Sequence, residues 1–216
     1  MLSRTYQLAS DDHEANLGTD PTNRLHWRFS RQPLDAESIR DAMLAVSGQL
    51  DRSMAGPHPF PSVEEWGYTI HQPFYAVYDS MHRSVYLMQQ RNRRNPFLAT
   101  FDAADPNQSV AERLPTTTPT QSLYFMNSPF VHQASTAFAE RLLLETSDPV
   151  TRVVTAIEMA HGREAGSEEV QRVLNFLESY QETLRKNQTA PDQVELKVWS
   201  AVARVLLTSN AFLYVD

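Results

Sequence analysis

A run of helix-start signals between residues 118 and 195 constrains this chain more than any other feature. Thr118-Pro119-Thr120-Gln121 combines a capping box with proline at the first helical position. There the hydroxyl can accept a first-turn N–H, and the missing proline N–H costs nothing. Ser128-Pro129 and Asp148-Pro149 repeat the cap-plus-proline pattern, Ser167 offers another cap, and Asp192 with Glu195 has capping-box spacing. An apolar stripe at helical spacing follows each of the last four signals. The stripes are Val131, Ala134, Phe138 and Leu142; Val150, Val153, Val154 and Ile157, ended by Gly162; Val173, Leu177, Tyr180 and Leu184; and Val194, Val198, Val202 and Val205. The last helix also carries Trp199, Leu206 and Leu207 on other sides, so it is expected to be the most buried. Short connections between amphipathic helices imply antiparallel packing. There is no 20-to-50-residue repeat of the kind that builds a solenoid.

The first half is less regular. Met1 to Ala9 reads as the last turns of a helix whose beginning is missing, and Asp20-Pro21 opens a short helical stretch through Leu25 and Trp27. Asp35 caps a stronger helix running to about Leu50, with Ile39, Met43, Val46 and Leu50 on its apolar face. The Pro-rich run from Met54 to Phe74 reads as an irregular connection. Phe74–Tyr78 and Arg83–Met88 suit two strands of a hairpin. The expected fold is mainly α, an irregular bundle of amphipathic helices with a small β-hairpin insertion. Residues 1–34 are expected to be an N-terminal arm, the tail of a missing upstream domain. Residues 35–216 form a single mainly helical domain with the hairpin near 74–88.

Composition removes whole classes of chemistry. With no cysteine, the chain can form no disulfide, zinc-thiolate site, iron–sulfur cluster, cysteine nucleophile or CxxCH haem attachment. A net charge of −7 opposes the dominant positive surface that a nucleic-acid binder needs. No apolar run approaches membrane-span length, and the N-terminus lacks a signal-peptide pattern. The seven histidines, among them His58 and His71, form neither HExxH nor HxH. GxSxG, SxxK and Gly-rich phosphate loops are also missing. No cofactor is expected.

Several segments together carry a family likeness: NRLHWRFSRQPLDAESIRDAMLAVSGQLD, HRSVYLMQQR, FLATFDAADPN, RLPTTTPTQSLYFMNSPFVHQAS, AHGREAGSEEV and LLTSNAFLYVD. In that order, and over nearly the whole chain, the sequence resembles the planctomycete-specific C-terminal domain of unknown function called the PSD-one domain. The resemblance implies the C-terminal part of a larger bacterial protein of the envelope or periplasm, with a c-type-cytochrome domain nearer its N-terminus. It implies a partner that is a protein or an upstream domain of the same parent, and no established activity.

Three groups of residues are candidates for function. Arg24, Arg28 and Arg31 flank Trp27, and Arg forks suit carboxylates or phosphates. The favoured reading pairs them with acids such as Asp35, Glu37 and Asp41, pinning the arm to the domain. The run Arg91, Arg93 and Arg94 is the most basic, but Asp102 and Asp105 follow it. Asp102 and Asp105, with Asp41, are the candidate acid–base groups of a hydrolase acting on a polysaccharide-like polymer, with Arg28, Arg40 or Arg91 orienting an anionic substrate. The competing reading makes TFDAADPN a turn whose side chains bond their own backbone. Trp27, Trp66 and Trp199 are expected to anchor packing. The leading expectation is a non-catalytic accessory or interaction module.

Overall fold

The computed structural model describes residues 3–56, 79–91 and 94–215. It contains helices α1 (Glu14–Thr19), α2 (Ala36–Val46), α3 (Pro96–Thr100), α4 (Pro119–Asn127), α5 (Pro129–Glu145), α6 (Pro149–His161), α7 (Ser167–Lys186), α8 (Pro191–Leu207) and α9 (Asn210–Leu213). Two short strands, β1 (Gln32–Pro33) and β2 (Tyr214–Val215), pair antiparallel with Gln32 opposite Val215. The fold is mainly α with a small antiparallel β element.

Local chemistry sets the helix starts. Thr118 accepts the Gln121 N–H while the Gln121 side chain accepts the Thr118 N–H, closing the capping box. The Asp148 carboxylate accepts the Thr151 N–H, and Asp35 accepts the Ser38 N–H at 2.7 Å. Gly162 ends α6 in the left-handed region (φ 65°), which a residue without Cβ adopts at no steric cost. Asp192 and Glu195 do not form a capping box. Ala190 is the N-cap of α8, and Glu195 instead reaches Arg152 Nη1 at 3.0 Å. Gly166, not Ser167, caps α7.

The core is built on α5 and α8. They run antiparallel, so that His132 near the start of α5 meets Arg204 near the end of α8. Val131, Ala134, Phe138, Ala139 and Leu142 of α5 are fully buried, as are Ala203 and Leu207 of α8. The two helices approach closely, and the small Ala134, Ala139 and Ala203 are packed in one core with Phe138, Leu142 and Leu207. Val153 and Ile157 of α6 and Ile39 and Met43 of α2 complete the same core. A satellite cluster joins α7 to the start of α8 through Leu184, Val194 and Val198. Val150 and Val205, placed on inward stripes by periodicity, are instead about half exposed or more (48% and 61%).

The N-terminal region departs from expectation. Arg4–Gln7 is a short 3-10 turn whose N-cap Ser3 side chain accepts the Tyr6 N–H, and α1 follows it. Residues 20–28 are nested turns, not a helix. Their centre is the buried Asp20, whose carboxylate accepts N–H groups from Arg24 (3.0 Å) and Leu25 (2.8 Å). That arrangement forces Asn23 and His26 to positive φ (55° and 52°), which a helix excludes. Residues 83–88 do not form a strand. Ser84–Tyr86 is a 3-10 turn, because the Ser84 N–H and hydroxyl are both held by Asp41. The other expected strand, 74–78, the Pro-rich segment from 57 onward, His58, Trp66, His71 and Arg93 lie outside the described residues.

Candidate functional site

Arg40 is the most informative of the candidate residues. It sits on α2 beside Asp41 and is 5% exposed. Its guanidinium donates to the His82 carbonyl (3.1 Å), the Ser84 hydroxyl (3.2 Å) and the Ser80 carbonyl. The Phe130 ring lies 5.7 Å from it. Asp41 Oδ1 stands 3.7 Å away and accepts the Ser84 N–H at 2.8 Å and its hydroxyl at 2.6 Å. Burial pushes the Arg40 guanidinium below its ordinary pKa, and the nearby Asp41 and Asp79 charges oppose that shift. Arg40 and Asp41 thus clamp the 80–84 segment onto α2.

A cavity of about 530 Å³ opens beside this clamp, lined by Arg40, Asp79, Asn95, Phe97, Tyr124 and Phe130 among others. Each side chain has a local reason for its position. Asn95 caps α3 by accepting N–H groups from Phe97 and Leu98. Phe97 packs edge-on against Tyr124 (5.7 Å) and Phe130 (5.5 Å). The rings form one wall, and Asp79 and Asn95, 3.5 Å apart, form a polar rim. Such walls suit recognition of an apolar or amide-bearing group. Because Arg40 is already hydrogen-bonded by protein acceptors, it is poorly placed to orient a substrate anion.

None of the described cavities is lined by two of the candidate carboxylates. Asp102, in the left-handed region (φ 58°), accepts the Thr116 N–H and hydroxyl on Oδ2, both at 2.7 Å. It lines a smaller cavity of about 170 Å³ with Thr116 and Gln121. Asp105 closes an Asx turn onto the Asn107 N–H (2.9 Å), which holds its carboxyl below the usual range, and Arg94 lies 3.9 Å away. Asp41 belongs to the Arg40 clamp. Each carboxylate accepts hydrogen bonds from other groups of the protein, Asp41 and Asp102 from segments distant in sequence and Asp105 from its own turn.

The basic candidates are equally dispersed. Arg28 pairs with Asp12 and lies 5.0 Å from the Trp27 ring, while Trp27 Nε1 donates to the Asp20 carbonyl at 2.9 Å. Arg24 is exposed, and its backbone N–H serves the Asp20 turn. Arg91 is exposed, with its carbonyl accepting from Asn107 Nδ2 at 3.1 Å. The expected pairing of the arm arginines with Asp35, Glu37 and Asp41 does not occur for Arg28, because Arg113 occupies Glu37 at 2.6 Å and approaches Asp35 at 4.0 Å. The arm folds on itself instead, with Tyr6 edge-on to Phe29 and Phe29 N–H donating to the Ala9 carbonyl.

One arrangement has no sequence signature. His161, at the end of α6, has a side chain only 3% exposed. Its Nε2 lies 3.0 Å from Ser209 Oγ, and its Nδ1 lies 3.9 Å from Glu169 Oε1. The order serine–histidine–glutamate resembles a nucleophile relay. However, Ser209 Oγ donates to the Leu206 carbonyl at 2.8 Å, and none of the described cavities is lined by Ser209. The trio pins the junction of α6, α7 and α8. Burial is the main cause that lowers the His161 pKa, and Arg163 is the main cause that lowers that of Glu169. Among the described residues, no group of three or more His, Asp or Glu side chains could hold a metal ion, and no helix is long and apolar enough to cross a membrane.

The family model PSD1, described as a protein of unknown function (DUF1553), matches residues 1–177. The chain belongs to this family. The match spans the arm, the Arg40 clamp and the helices through most of α7, so the site geometry above is built almost wholly from PSD1 sequence. No curated protein and no solved structure matches the chain.

Proposed function

We propose that this PSD1 chain is a non-catalytic accessory module that holds a protein partner. The observation that carries this reading is the state of the candidate carboxylates. Asp41 accepts from Ser84, Asp102 from Thr116 and Asp105 from Asn107, so each is engaged by groups of the protein itself, whereas acid–base catalysis needs at least one such group free to act on a substrate. A partner-binding role draws support from exposed apolar side chains. Leu123 (57% exposed) and Met126 (64%) lie one turn apart on α4, next to the wall formed by Tyr124. The resemblance to the planctomycete domain supports placing the partner in the bacterial envelope, as another domain of the same parent protein that carries a c-type-cytochrome unit.

A photoreactive residue at Met126, introduced into the protein in cells that make it, tests this reading. One discrete cross-linked adduct is expected, with none from the same residue placed at Gln171 on the exposed face of α7. Equal labelling at both positions, or none at either, would overturn the proposal. The competing hydrolase reading has no observation in its favour beyond residue type.

A further inference from the structure

A second concavity, of about 480 Å³, lies between α5, α7 and α8, away from the Arg40 clamp. Arg204, Lys197 and His132 line it, and no Asp or Glu does. In a chain of net charge −7, two cations facing a groove without an acid are unusual. His132 sets the geometry. Its Nε2 lies 3.0 Å from the Met126 carbonyl, which marks that nitrogen as the donor. Arg204 Nη1 lies 3.1 Å from Nδ1 and 3.5 Å from Nε2, so the guanidinium rests against the imidazole, which fixes its place in the groove. Among the described residues, neither Arg204 nor Lys197 forms an ion pair with a carboxylate. Glu195, the nearest acid in sequence to Lys197, is engaged by Arg152.

The hydroxyls of the groove add a second requirement. Thr136 Oγ1 donates to the His132 carbonyl (3.0 Å) and Ser200 Oγ to the Leu196 carbonyl (2.7 Å). With their hydrogens committed to their own helices, both oxygens offer only lone pairs. A ligand that fits must therefore be anionic toward Arg204 and Lys197 and must donate hydrogen bonds toward the hydroxyls. Tyr180, stacked on Phe176 at 5.5 Å, supplies a ring face. We infer that this groove binds a hydroxylated organic carboxylate of sugar-acid size, a volume within the range of small-ligand pockets. The site is independent of the partner-binding role proposed above.

Titration calorimetry on the whole chain tests the inference, with sodium glucuronate as probe and with glucose, inorganic phosphate and sodium chloride at matched ionic strength as comparisons. Saturable glucuronate binding is expected. Arg204→Gln should weaken it about tenfold and Lys197→Gln several-fold, as loss of a charge-assisted hydrogen bond implies. Arg113→Gln, outside the groove, should change it less than about twofold. Equal binding of glucose would overturn the inference, and so would binding of phosphate without glucuronate, a signal reproduced by sodium chloride, or affinity unchanged in both groove variants.

Discussion

A buried guanidinium is costly unless every N–H finds an acceptor, and Arg40 illustrates how this chain meets that demand. Its acceptors come from a segment more than forty residues away in sequence. Replacing it with methionine would keep much of the stem but leave the Ser80 and His82 carbonyls without their donor. Arg40→Met is expected to lower stability by about 3 kcal/mol, on the scale for breaking a buried charged network. Urea unfolding measures this, and a loss below about 1 kcal/mol would mean that water replaces the guanidinium. His161 gives a residue-scale prediction in pH. Because burial lowers its folded pKa, the unfolded chain takes up the proton first as the pH falls below the ordinary imidazole value of about 6.5. The His161 contribution is fully present above that value and declines as the pH falls toward the folded pKa. The groups facing it are Glu169 and Arg163 on the α7 side and the Leu206 carbonyl and Ser209 hydroxyl on the α8 side. Wild type should therefore lose more stability than His161→Gln between pH 7.5 and 5.5. Parallel pH profiles for the two proteins would refute the assignment.

At the scale of elements, the legible features were those made by neighbours in sequence. The capping box at Thr118, the Asp35 and Asp148 caps and the Gly162 terminator act within one turn, so residue order alone reveals them. Asp192 and Glu195 have the same spacing but not the same outcome. Arg152, brought in by the packing of α6, takes the carboxylate that a capping box would need. Residues 83–88 have β-branched and aromatic content suited to a strand, yet Asp41 holds Ser84 in a 3-10 turn. Tertiary hydrogen bonds overrode propensity at both places. The packing of α5 on α8 was only half legible: periodicity marks Ala134 as inward, but nothing in the local pattern says which residues of α8 bury Ala139. Ala139→Leu would force a branched side chain into a site with no exposed surface. It should cost roughly 1–3 kcal/mol by overpacking, read as a lower thermal midpoint. A stability equal to wild type would show that the packing has slack.

Over the whole molecule, residues 32–34 meet residues 213–215 across most of the chain's length. β1 pairs with β2, and the Leu34 N–H donates to the Leu213 carbonyl at 2.8 Å, so the arm is stitched to the body beside the C-terminal helix. Two-residue strands carry no periodicity, and so this closure was invisible in the sequence. Arg40 and Asp41 were each candidates from the sequence, in separate roles, and folding joins them in one clamp, whereas Asp79 and Asn95 beside it, and His132, Lys197 and Arg204 in the second groove, gather only through folding. Each of the three carboxylates that a hydrolytic reading would unite instead accepts hydrogen bonds from the protein, Asp41 from Ser84, Asp102 from Thr116 and Asp105 from Asn107. The most direct measurement is reducing-end release from a panel of neutral and acidic polysaccharides, comparing the wild-type chain with the Asp41→Asn, Asp102→Asn and Asp105→Asn triple variant. Both proteins are expected to stay at the buffer rate; turnover by the wild type that the triple variant lacks would contradict a non-catalytic module.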